Sequence, residues 1–544
     1  MKTIYYNGQV YIGELPLRQA FAVSGGKFLC AGDDADLLGL ADEGDRLVNL
    51  DGCFVCAGFE DSHMHILDYA QSLQEAQLET HTSSLSEMLA FLQDYLHAHP
   101  VREGGWLKGG GWNQDYFTDT DRMPDRHDLD TVSADVPIMI TRACKHCCVL
   151  NSAALSLTGI DPETPDPDGG RIGRENGQPD GRLYYCAMEL LNDVLPVPDR
   201  GEIRQSIRLA CRELNRRGIT SAHSADYCAF RAVPFETVNE AFRELEESGE
   251  LSVRVYEQAY FTSFEDVQRF VKAGNITGSG TDMFRMGPLK LVADGALGSR
   301  TARLSQPYLG DGKNCGLSLF TDDQIDEIVS YAHAHGMQLA VHAIGDACLD
   351  QVLDAIDRTL REQPRPDHRH GVIHCQVSRP DQLERIHRMQ LHVYAQSIFL
   401  DYDNHIVTRV LPPKLAESSY SWKTLLQSGV SVSNGSDCPV EPPDVMKGIE
   451  CAVTRCSLDG TGPYLPREAF TVQEALDSFT IRSAEASFDE NRKGRIREGF
   501  FADFVVLGQN PFSTEPGQLH SIPVVATFLN GRCVYAAPGS DDSF

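Results

Sequence analysis

His63-Met64-His65 follows an apolar run, and on a strand residues i and i+2 share one face. Two neutral imidazoles on one face can hold one divalent ion. Alone, such a pair more often marks two satisfied surface histidines than a ligand set. Four further residues change that balance. Lys290 lies inside the apolar run Gly287–Ala293, His342 closes Gln338–His342, His374 closes Gly371–His374, and Asp437 ends Asn434-Gly435-Ser436-Asp437. Each has a plain alternative: a core histidine with one hydrogen bond, a lysine reaching solvent along its stem, or an aspartate capping a helix. Six such residues at the ends of five strands are hard to sustain as separate coincidences and point instead to one polar centre able to hold a divalent ion.

The elements that must carry these residues alternate from about residue 200 onward. Strands at Ile219–His223, Ser252–Tyr256, Gly287–Ala293, Gln338–His342, Gly371–His374, Leu391–Ala395 and Val430–Ser433 are separated by helical patterns, one of them opened by the capping box Thr321–Gln324. With the strand at Phe59 they make eight, which predicts an α/β fold of the (β/α)8 TIM-like barrel type over 57–78 plus 200–493. Barrel enzymes keep their active sites at the C-terminal strand ends, where all six residues fall. Short strands at both chain termini, punctuated by Asn7-Gly8, Gly25-Gly26 and Asn530-Gly531, predict a composite β-sandwich of 1–56 plus 494–544. Residues 79–199 break the rhythm and read as an insertion after the first barrel strand, a substrate lid or wall carrying Trp112, for which a structural Trp packing a turn is an equal alternative.

Composition bounds the partners. The 544-residue chain has 48 Lys plus Arg against 78 Asp plus Glu, a formal net charge of -30, which repels nucleic acid and anionic membrane and suits a small-molecule substrate. The N-terminal stretch has no signal-peptide pattern and no segment approaches a membrane span, so a cytoplasmic location is expected, and a homo-oligomer is compatible with the sequence. The 16 cysteines are scattered. The pairs Cys53/Cys56 and Cys144/Cys147 are about 90 residues apart, too far for a zinc ribbon, so reduced thiols are expected.

The ordered set His63-Met64-His65, Lys290, His342, His374 and Asp437 resembles the metal site of the amidohydrolase superfamily. Gly109-Gly110-Gly111-Trp112, Asn151–Leu155, Asp294–Ala302, Val341–Asp346 and Gly494–Gly499 narrow the resemblance to the branch holding YtcJ-like proteins and N-substituted formamide deformylase. Ala57 and Cys438 depart from that pattern. The resemblance implies that His63, His65, Lys290, His342, His374 and Asp437 bind one or two divalent ions, zinc foremost, with Lys290 open to carboxylation. Burial favours the neutral amine that reacts with carbon dioxide. Asp437 is then the catalytic base, and Asp294, Ser299 and Arg300 are weaker candidates for the pocket, with a cap or a surface ion pair as their alternatives. The implied activity is hydrolysis of a small amide, N-acyl or N-formyl C–N bond. A deaminase, an ester or cyclic-substrate hydrolase, and a metal-binding scaffold without catalysis are the alternatives.

Overall fold

The computed structural model describes residues 1–143, 147–167, 170–230 and 232–539. It divides into two compact units, Met1–Asp68 with Ile203–Ala229 and Pro234–Phe544, and Tyr69–Glu202 with Phe230–Val233.

The first unit contains the expected barrel. Its strands, in chain order, are β1 (Phe59–Met64), β2 (Ile219–Ser224), β3 (Arg254–Tyr260), β4 (Phe284–Val292), β5 (Leu339–Ala343), β6 (Gly371–His374), β7 (His392–Ala395) and β8 (Val432–Asn434). They form one eight-stranded sheet in sequence order, and every neighbouring pair is parallel. Helices bury apolar stripes against it. Asp346–Glu362, for example, buries Leu349, Val352, Leu353 and Ile356 at helical spacing. The predicted box at Thr321 and Gln324 caps the helix Asp322–Ala334.

The seam between β8 and β1 is closed by side chain and loop. Asp437 N–H donates to His63 O at 2.8 Å, His65 N–H to Cys438 O at 2.8 Å, and the Ser436 hydroxyl to the Asp61 carboxylate at 2.6 Å. Gly435 is obligatory at this crossing, since a Cβ there would fall 2.5 Å from the His63 nitrogen. The closure therefore places the end of β8 directly against the His63-Met64-His65 run.

Both termini build the sandwich. One sheet has the order Lys27–Gly32, Ala20–Ser24, Thr3–Tyr6, Arg46–Asn49; the other runs Gln9–Val10, Phe54–Ala57, Phe504–Leu507, Val524–Leu529, Arg532–Ala536. Between them lies an aromatic core of Tyr5, Phe21, Phe28, Phe504 and Phe528, the last two stacked at 4.2 Å. The N-terminal strands, too few to bury a core alone, obtain their partner from the chain's other end.

The second unit is more ordered than its Gly- and Pro-rich sequence suggests. It holds a six-stranded sheet of Gly170–Glu175, Gln178–Tyr185, Cys147–Leu150, Ile138–Arg142, Leu107–Trp112 and Ala76–Gln77, with two apolar clusters of its own. All 15 described cysteines are free thiols, and Cys144 lies outside the described residues. Among the described residues no helix is long and apolar enough to cross a membrane.

Candidate metal centre

The barrel brings five of the six predicted residues into one cluster. Lys290 Nζ is 2.7 Å from His63 Nε2. Asp437 Oδ1 lies 3.2 Å from His63 Nε2 and 3.3 Å from His65 Nε2, while its Oδ2 is 4.0 Å from His374 Nε2. Ligand atoms of His63, His374 and Asp437 all fall within 4.8 Å of one another. His342 stands beside them, its ring 4.4 Å from that of His374, but its Nε2 faces Gly295 O at 3.2 Å and Asp294 Oδ1 at 3.3 Å. His374 and Asp437 hold φ of 73° and 57°, a left-handed conformation costly for side-chain-bearing residues and concentrated at functional sites.

The outer hydrogen bonds decide what the rings can do. His63 Nδ1 contacts Gln258 Oε1 at 2.6 Å, and His374 Nδ1 contacts Gln396 Oε1 at 2.8 Å. Each amide is oriented by its own NH2, which donates to Ser62 O from Gln258 and to Tyr394 O from Gln396. Glutamine oxygens therefore face the rings, so both Nδ1 atoms carry hydrogen and both Nε2 atoms present lone pairs. His65 follows the same rule, its Nδ1 donating to Ala225 O at 2.9 Å. The Nε2 lone pairs of His63 and His65 thus each lie within 3.3 Å of Asp437 Oδ1, with Lys290 as the donor beside His63. Acceptors so arranged repel one another unless a cation lies between them, and this donor set fits a divalent ion.

Electrostatics agree at His63 and His374. Burial, reinforced by Lys290, pushes His63 down to about 3, and burial with His342 holds His374 well below the usual histidine value. Burial also depresses His65, but the Asp437 carboxylate outweighs it and the net shift is upward. Burial alone would raise Asp437, yet its contacts to His63 and His65 keep it well below the carboxylate range. Lys290 is lowered to about 8 by burial, with Asp437 opposing. A protonated Lys290 occupies the His63 lone pair that a metal would need.

The weaker candidates have other employment. Asp294 is 1% exposed and accepts from the backbone N–H groups of Ile344, Gly345 and Arg303 at 2.8–3.0 Å, which makes it a brace for the loop after β5. Ser299 is exposed and bonded to Thr301, and Arg300 pairs with Asp311 at 3.5 Å. Trp112 is fully buried in the second unit among Leu78, Leu92 and Ile138. It ends the strand Leu107–Trp112. Conversely, Gln258 and Gln396 were passed over in the sequence. The sequence pattern ends β3 at Tyr256, whereas the strand runs to Tyr260 and buries Gln258; an amide within a central barrel strand is the signal that points to it.

Comparison with known proteins adds an independent line. A model described as "Amidohydrolase family" matches residues 46–535. The chain is 34% identical over 494 residues to the putative amidohydrolase YtcJ of Bacillus subtilis, covering 90% of each. It is 26% identical over 542 residues to N-substituted formamide deformylase of Arthrobacter pascens, covering 96% of each. An uncharacterized metal-dependent hydrolase from Pyrococcus horikoshii has a solved structure that superposes with a TM-score of 0.80 at 26% identity, covering 95% of this chain and 99% of that one.

Proposed function

This chain belongs to the amidohydrolase family, and on that premise we propose that it uses a divalent ion, zinc foremost, to hydrolyse a non-peptide C–N bond of a small amide, N-acyl or N-formyl amine. The observation that carries the metal reading is the convergence of His63 Nε2, His65 Nε2 and Asp437 Oδ1, with each imidazole's other nitrogen already committed. The C–N reading is supported by the deformylase relative.

His63, His65, His374 and Asp437 would hold the first ion, and His342 would join when its ring turns its other nitrogen inward. The ion supplies Lewis acidity, which polarises a carbonyl and generates a nucleophile from water near neutral pH. Asp437, held ionised, accepts the proton of the attacking water and returns it to the departing nitrogen, because an amide anion is too poor a leaving group to depart unprotonated. Gln258 and Gln396 keep the histidines neutral and aimed. Lys290, with its lowered pKa, offers a neutral amine that adds to carbon dioxide and loses one proton, giving a carbamate whose oxygens replace the competing ammonium.

The test is metal-loaded protein assayed on N-substituted formamides, N-acyl amines, esters and deaminase substrates, with 13CO2 labelling for the carbamate. Turnover confined to amide-type C–N bonds supports the reading. Turnover of esters or aminated heterocycles alone, or of nothing, contradicts it.

A further inference from the structure

Three consecutive residues leaving β2 grip the chain around His65. Ser224 Oγ accepts the Ile66 N–H at 2.8 Å, Ala225 O accepts His65 Nδ1–H at 2.9 Å, and Asp226 Oδ1 accepts the Leu67 N–H at 2.8 Å. Ile66 and Leu67 open the helix Ile66–Gln74, whose first N–H groups need acceptors outside the helix. Asp226 is itself held from β3, where Glu257 Oε1 accepts the Asp226 N–H at 3.0 Å.

Both carboxyl groups are completely buried. Each keeps one oxygen without a hydrogen-bond partner, Asp226 Oδ2 and Glu257 Oε2, and among the described residues neither has an ion-pair partner. The bond from Asp226 N–H to Glu257 Oε1 brings the two carboxyl groups to one place. Two ionised carboxylates in that setting would repel in a medium too poor in water to screen them. One proton held by the pair removes the repulsion and turns one acceptor into a donor. Burial raises Asp226 to about 6 and, with Asp226 beside it, lifts Glu257 well above the carboxylate range, in keeping with a single proton resident on the pair.

We propose that Asp226 and Glu257 share one proton and that Asp226, so held, is a positioning residue for His65, fixing the helix start that aims the imidazole Nε2 at Asp437. The second half rests on the reading of His65 as a metal ligand. An amide at either position can reproduce the shared proton. In Asp226→Asn the oxygen still accepts from Leu67 and the NH2 donates to Glu257 Oε2; in Glu257→Gln the NH2 donates to Asp226 Oδ2. In Asp226→Ala neither contact survives.

The experiment measures zinc affinity by competition with a chelator for the parent and the three variants, and determines crystal structures of their metal-free forms. Expected are affinities within about threefold of the parent for Asp226→Asn and Glu257→Gln, and a loss of about 10–100-fold for Asp226→Ala, the usual range for removing a group that orients a ligand. In the metal-free crystals His65 Nδ1 should remain on Ala225 O in the two amide variants and leave it in Asp226→Ala. Parent-like affinity and His65 placement in Asp226→Ala would overturn the positioning role. Loss in Asp226→Asn equal to that in Asp226→Ala would overturn the shared proton. If the parent itself takes up no zinc, the metal reading fails separately, and the metal-free crystals still decide whether Asp226 positions His65.

Discussion

His-x-His occurs four times in this chain, at His63/His65, His97/His99, His333/His335 and His368/His370. The first and last pairs are the instructive contrast, because both belong to the barrel and both are largely buried. At the end of β1, the Nδ1 atoms of His63 and His65 are committed to Gln258 and to Ala225 O, and each ring keeps an Nε2 lone pair facing Asp437. Ahead of β6, nothing is left over. His370 Nδ1 accepts the Leu339 N–H and its Nε2–H meets His333 Nδ1 at 2.8 Å; His333 Nε2 donates to Gln363 O. His368 Nδ1 accepts the His370 N–H, and its Nε2 donates to Met389 O. Every nitrogen of that second cluster is a donor or an acceptor within the fold. Spacing makes a pair available, and the uncommitted nitrogen leaves it able to ligate.

The largest effect should separate the clusters outright. Asp437→Asn should lower kcat by about 10²–10⁴-fold while the protein keeps its metal, since a carboxamide can still ligate but cannot carry the proton. His368→Asn should leave kcat unchanged. Steady-state kinetics with metal analysis of both variants decides. Next in size is the role of the orienting amides. Gln258→Ala or Gln396→Ala should weaken zinc binding by about 10–100-fold, measured by chelator competition. An unchanged affinity would mean that the committed Nδ1 atoms are incidental.

That pair of glutamines also marks the limit of what the sequence shows. The eight strands, the composite sandwich and the six polar strand-end residues are legible because period, turn chemistry and position along the chain are local properties. Partner choice is not. Gln258 meets His63 across 195 positions, and the seam contact from Asp61 to Ser436 spans 375. Asp294 and Arg300 looked like pocket residues because they follow the lysine strand, and only the folded loops show the backbone amides and the Asp311 carboxylate that occupy them. The apolar run Ile138–Thr141 is visible in the second unit, but its sheet is not, because runs such as Ile138–Arg142 and Cys147–Leu150 are short and set among turns.

A smaller effect comes from the second cluster's protonation. Burial holds His370 well below its ordinary value, so it stays neutral in the fold while the unfolded chain takes up a proton below about pH 6.5. The unfolded state then binds more protons, and stability should fall as pH drops through about 6.5, by about 1.4 kcal/mol per pH unit from this residue. Denaturant melts of the parent and His370→Gln between pH 5 and 8 should show a shallower slope in the variant. A slope that steepens, or a cluster stabilised by added zinc, would break the distinction drawn above. The smallest effect belongs to the exposed pair. The Nδ1 atoms of His97 and His99 bond the backbone oxygens of Gln93 and Tyr95, and the His99 ring stacks on Tyr95 at 4.2 Å, so their alanine variants should leave zinc stoichiometry unchanged.

The most direct test is an anomalous difference map from a zinc-loaded crystal, recorded on both sides of the zinc absorption edge. A peak bonded to His63 Nε2, His65 Nε2 and Asp437, with no density of that kind at His333, His368 or His370, is the predicted result. An empty His63–Asp437 cluster at full zinc occupancy elsewhere, or a peak in the second cluster, would contradict the account.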